Sequence, residues 1–160
     1  MNDLQVVLFI MIFSKSFGYA LRGILYVALK SEYRPVQLDE IANELGAPRH
    51  FMGKIMKRVV QKKILSSLKG PTGGFMLNET TLLRPLVDVY QVTDHPEDLD
   101  KCVLGRGPCD HDNPCRLHDL VAPMKPPIQQ ILFDTTIGDL LAGDNTQLLK
   151  GLSVAAVAIV

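Results

Sequence analysis

Ile41-Ala42-Asn43-Glu44-Leu45-Gly46-Ala47-Pro48-Arg49-His50-Phe51-Met52-Gly53-Lys54-Ile55-Met56-Lys57-Arg58-Val59 decides the fold. Leu38, Ile41, Ala42 and Leu45 recur at helical spacing, which predicts a short amphipathic helix. Gly46 stops it, and Asp39 and Glu40 in its first turn suit the helix dipole. Pro48 belongs in the first turn of a following helix that runs to about Lys63. Phe51, Met52, Ile55, Met56 and Val59 form its apolar stripe, and His50, Lys54, Lys57, Arg58 and Gln61 stand on the opposite face. Two helices joined at Gly46-Ala47 make a helix-turn-helix, a unit whose second helix enters the major groove of a duplex.

Working outward, Ser14 is placed to cap a helix to Lys30, with Phe17, Ala20, Leu21, Ile24, Leu25 and Ala28 on its apolar face. On the other side, Ile64-Leu65-Ser66-Ser67-Leu68 and Phe75-Met76-Leu77 read as two short strands around the glycine-rich turn Lys69-Gly70-Pro71-Thr72-Gly73-Gly74, a wing. Leu82 to Val92 predicts another helix. Cys102 to Cys115, rich in Gly, Pro, Asp and Asn, predicts a loop. From about Ile128 to Leu141 the apolar residues return to helical spacing, as expected of a helix that meets a second copy of itself.

The expected fold is therefore mainly α with a small β-wing: a winged helix-turn-helix plus a long C-terminal dimerisation helix. Residues 1–10 are an apolar extension, 11–80 the winged helix-turn-helix, 81–100 a connecting helix, 101–119 a cysteine-rich loop, 120–142 the dimerisation helix and 143–160 an apolar tail. A chain of 160 residues has room for one such fold.

The formal net charge is zero, but its distribution is uneven. Arg49, Lys54, Lys57, Arg58, Lys62, Lys63 and Lys69 lie in a stretch without an acidic residue, whereas Glu79 to Asp100 contains only Arg84 as a base. Such a local field attracts phosphates. Arg49, His50 and Lys54 are placed to read bases, with Lys57, Arg58 and Lys69 on the backbone and Gly70 and Gly73 exposing main-chain N–H groups. The alternative is a merely solvated helix face.

Cys102, Cys109 and Cys115 are the three cysteines, an odd number for a disulfide framework. In a reducing compartment clustered thiols are more often metal ligands, and His118 can complete a fourth position or be an ordinary packed residue. Neither interval is a short zinc knuckle, which makes zinc the weaker reading. A cysteine nucleophile served by His95, His111 or His118 lacks a strand-to-helix elbow, so no enzyme is expected. Met1 to Phe13 has an apolar run but neither a basic leader nor a cleavage site, and the run is too short to span a bilayer. A cytoplasmic protein without a membrane partner is expected.

With these residues in place, the chain resembles the Rrf2 family of bacterial regulators over about Met11 to Leu141. The resemblance rests on Ser14-Lys15, Tyr19-Ala20-Leu21-Arg22, Ile41-Ala42, Phe51, the Lys69 to Phe75 wing and the cysteine trio. It implies a homodimer on double-stranded DNA, with the C-terminal helices crossing and Lys15 joining the DNA-binding residues. It also implies an iron–sulfur cluster on Cys102, Cys109, Cys115 and His118, [2Fe-2S] first and [4Fe-4S] as the alternative, readily lost from protein purified in air. The first cysteine interval is one residue longer than in the iron–sulfur-biogenesis branch. Gly18 stands where the nitric-oxide-sensing branch has an acidic ligand, and the first ten residues have no counterpart. The rival expectation is a cluster-free regulator of the same type that responds to a metabolite or a partner protein.

Overall fold

The computed structural model describes residues 13–31, 34–143, 145 and 152. The expected apolar extension at 1–10 and most of the tail at 143–160 lie outside the described residues.

Helix α1 (Lys15–Lys30) begins where expected, with the Ser14 hydroxyl accepting the N–H of Phe17 at 3.0 Å. It packs against α3 (Arg49–Gln61) and α4 (Leu86–Thr93), burying Phe17, Ala20, Ile24 and Val27. Phe17, Ile24 and Val27 each contribute roughly 1.5–3 kcal/mol of burial. Helix α2 (Leu38–Glu44) precedes α3 and closes the same core through Ile41, Ala42 and Leu45. Glu40 of α2 accepts from the Tyr26 hydroxyl of α1 at 3.1 Å and from Arg34 at 2.9 Å. Arg34 holds the Glu40 carboxyl below its ordinary range, while burial, ahead of Glu40, pushes Tyr26 up to about 12.

Strands β1 (Ser66–Leu68) and β2 (Gly74–Met76) form an antiparallel pair in which Ser67 faces Phe75. Val36 extends the pairing, exchanging two backbone hydrogen bonds of 2.8 Å with Phe75. The first strand is shorter than its sequence suggests. The chain leaves α3 through Lys63 at φ +57°, and the Ile64 N–H is spent on the Val59 carbonyl at 3.1 Å. Ile64 and Leu65 consequently fill the core rather than the wing.

Helix α4 starts at Leu86, four residues later than the apolar pattern indicates, because Pro85 keeps Arg84 extended. The C-terminal portion also differs from one continuous helix. It is already helical at α5 (His118–Val121), passes a tight turn at Ala122–Met124, continues as α6 (Lys125–Asp134), breaks at Thr135 and resumes as α7 (Ile137–Leu141). Two interactions explain the break. Thr136 and Asp139 form a reciprocal capping box, and the Thr135 carbonyl accepts the Leu86 N–H at 2.9 Å. Ile128 and Leu132 of α6 pack onto α4 and anchor the cysteine loop between them.

Candidate nucleic-acid interface and cysteine site

Met52, Ile55, Met56 and Val59 turn one face of α3 into the core, so Arg49, His50, Lys54, Lys57 and Arg58 all face solvent. Lys15, the first residue of α1, and Lys69, at the start of the wing turn, are exposed as well. Arg49 is engaged: its Nε donates to Asp39 Oδ1 across the turn between the two helices. The acid-free stretch is therefore not acid-free in space. The pair is two-thirds exposed, and an ion pair of that kind is worth little beside a bidentate contact to a base.

The wing turn depends on its glycines. Gly70 lies at φ +114°, and a Cβ on Gly73 would fall 2.2 Å from the Leu68 carbonyl oxygen. The turn closes through Gly73 N–H to the Gly70 carbonyl at 3.0 Å, and Gln37 ties it to the base of α2 through the Pro71 carbonyl at 3.2 Å.

The cysteine loop leaves and re-enters the helical body at two clamped points. Cys102 N–H donates to the Gly107 carbonyl at 2.7 Å, Cys109 N–H to Asp100 at 2.8 Å, and His118 N–H to Cys115 at 3.0 Å. Helix α6 holds the base, with Gln129 on the Asp100 carboxylate at 2.8 Å and Lys125 on the Lys101 carbonyl at 2.5 Å. These bonds fold the four sequence-predicted ligands around one cleft of about 370 Å³, which Arg106, Pro108, Asp110 and Asn113 also line.

Within it the donors form two pairs. The Cys102 and Cys115 side chains lie on one side, and the Cys109 sulfur lies 3.4 Å from His118 Nδ1 on the other. The Leu104 N–H, then Cys115 and Arg106, hold the Cys102 thiol below its ordinary range despite its burial. None of the three cysteines is in a disulfide. Among the described residues, no three His, Cys, Asp or Glu side chains close on a single point as one metal ion requires.

His111 joins the site through a contact the sequence did not indicate, and Asp94 links α4 to α1. His111 places Nδ1 2.9 Å from His118 Nε2, with the rings 4.5 Å apart and nearly perpendicular. Asp94, just ahead of the loop, accepts from Ser14 at 2.6 Å and from Thr93 at 2.7 Å. It thereby ties the C-terminal end of α4 to the cap of the helix that carries Lys15. The spacing of His111 from the cysteines carried no ligand signal, and the Ser14–Asp94 contact spans 80 residues. His95 takes no part, facing Glu97 at 3.7 Å. No described helix is long and apolar enough to cross a membrane.

Comparison with known proteins places this geometry in context. A family model described as Rrf2, iron-dependent transcriptional regulator, matches residues 13–143. An HTH-type transcriptional regulator of Aquifex aeolicus is 34% identical over 133 residues, covering 82% of this chain and 92% of that protein. The HTH-type transcriptional regulator IscR of Klebsiella pneumoniae is 28% identical over 131 residues, 82% of this chain and 78% of that protein. Among solved structures, CymR, the global cysteine regulator of B. subtilis, superposes with a TM-score of 0.65 at 20% identity, over 82% of this chain and 98% of that one.

Proposed function

This chain belongs to the Rrf2 family of transcriptional regulators, and from that premise we propose that it binds duplex DNA as a homodimer and senses redox, nitric oxide or iron–sulfur status through a cluster on Cys102, Cys109, Cys115 and His118. The observation that carries the sensing half is the convergence of three free cysteines and one imidazole on a single cleft. Three thiols and an imidazole are a donor set that would hold an iron–sulfur centre. Such a centre, when bound, supplies iron–thiolate bonds that oxidants and nitric oxide attack. [2Fe-2S] is the first assignment and [4Fe-4S] the alternative.

DNA is met by residues 11–80. Arg49, His50 and Lys54 read bases from the start of α3, while Lys15, Lys57, Arg58 and Lys69 neutralise phosphates. Gly70 lies exposed at the tip of the wing, whereas Gly73 is buried with its N–H spent inside the turn and acts only by shaping it. Residues 120–142 supply the dimer contact. Leu120, Ile131 and Phe133 leave more than half of their surface exposed in one protomer, apolar area that a second copy would cover. The loop at 101–119 is tied to α6 through Asp100 and Lys101, and α4, on which α6 packs, reaches the cap of α1 through Asp94 and Ser14. Since both half-sites must be met at once, a small change in the spacing of the α3 helices alters affinity.

Anaerobically isolated protein tests this reading. Iron and sulfide are expected in equal amounts with absorbance in the visible, and DNA affinity is expected to differ between loaded and stripped protein. Absence of iron, sulfide and visible absorbance after anaerobic reconstitution, with DNA binding intact, would overturn cluster sensing in favour of a cluster-free regulator.

A further inference from the structure

His118 is only 5% exposed, so both of its ring nitrogens need partners within the protein. The structure provides one for each. Nδ1 faces the Cys109 sulfur in the cleft, and Nε2 faces Nδ1 of His111 on the outside. In a neutral imidazole one nitrogen carries a hydrogen and the other a lone pair, and only the lone pair can accept a thiol proton or bind a metal. The partner of Nε2 therefore decides what Nδ1 can do.

We infer that His111 is a positioning residue: its Nδ1 accepts the Nε2–H of His118, which leaves the His118 Nδ1 lone pair aimed at the cleft. A metal-binding histidine commonly donates its other N–H to an outer group that sets tautomer and ring angle. Here that role falls to a second histidine rather than a carboxylate. The near-perpendicular rings suit the task, since the in-plane lone pair of one meets the edge of the other. Were the hydrogen instead on His111 Nδ1, His118 would turn an N–H toward Cys109 and could not serve as a ligand. His111 is exposed and makes no core contact, so replacing it leaves the fold intact. The tautomer half of this inference is independent of the cluster; its consequence for metal binding rests on the function proposed above.

The test has two arms. In the first, cluster-free protein labelled with 15N at histidine is studied by long-range 1H–15N NMR at neutral pH. Wild type is expected to show His118 protonated at Nε2, His111→Leu to show a mixture of tautomers, and His111→Asn to restore the wild-type signal through its amide oxygen. In the second, anaerobically reconstituted protein is followed by EPR and by iron retention against a chelator. His111→Leu is expected to shift the spectrum and to weaken iron retention about 10- to 100-fold, with His111→Asn recovering most of both. His118 protonated at Nδ1 in wild type, a His111→Leu protein unchanged in either arm, or nitrogen coupling from His111 itself would overturn the inference. If wild type takes up no cluster, the cluster reading fails while the first arm still decides the role of His111.

Discussion

The helix-turn-helix and its wing differ from the cysteine loop in what holds their side chains in place. On α3, periodicity alone turns Met52, Ile55, Met56 and Val59 inward and therefore Lys54, Lys57 and Arg58 outward. The wing is equally constrained, because only glycine fits 2.2 Å from the Leu68 carbonyl. The cysteine loop has no such internal rule. Cys102, Cys109 and Cys115 are brought together by a few backbone bonds and by α6 beneath. A rigid surface that presents charge is joined to a loop whose shape rests on few interactions, a division suited to a reader coupled to a sensor.

If the two regions divide the work in this way, each can be broken separately. The largest expected effect is that of Cys109→Ser, which removes the sulfur facing His118. It should abolish cluster retention, and with it the whole difference in DNA affinity between loaded and stripped protein, a coupling of about 5- to 150-fold in typical cases. Stripped wild type and stripped variant should bind DNA alike in anisotropy titrations. A stripped variant that lost DNA binding would show that the loop also builds the DNA surface.

Gly73→Ala probes the opposite side. Its Cβ has no room against the Leu68 carbonyl, and backbone strain of roughly 1–3 kcal/mol should displace the wing. DNA affinity is expected to drop by about tenfold, with iron content unchanged. Equal affinity would remove the wing from the interface.

Asp39→Ala should have the smallest effect. Releasing Arg49 from a largely exposed ion pair should raise affinity by less than about fivefold. A decrease would mean that the pair preorganises Arg49 for its base and does not restrain it.

The legibility of the sequence follows the same division. The Ser14 cap, the stop at Gly46, the inward stripe of α3 and the wing turn were readable because each is governed by residues within a few positions. The fate of Ile64 and Leu65 was not, since it depends on how α3 ends. The break at Thr135 was hidden for a different reason. Ile128 to Leu141 keeps helical spacing, yet the Thr136–Asp139 box and the bond from Leu86 interrupt it. The three cysteines raised the expectation of a soft-metal site by their chemistry, but the approach of Cys109 to His118 and of His118 to His111 arises only when the loop closes. Likewise, the Asp39–Arg49 pair was invisible to a linear charge count because the acid comes from the preceding helix.

The salt dependence of binding tests the central claim, that the exposed basic face of α3 lies on duplex DNA, most directly. Affinity of the dimer for pooled genomic duplex should fall linearly on a log–log plot against salt. Replacing Lys54, Lys57 and Arg58 together by Gln should flatten that slope by about 4, the four phosphate contacts of Lys57 and Arg58 in the dimer at about 0.9 each. An unchanged slope in the triple variant, or binding by wild type that is indifferent to salt, would contradict the account.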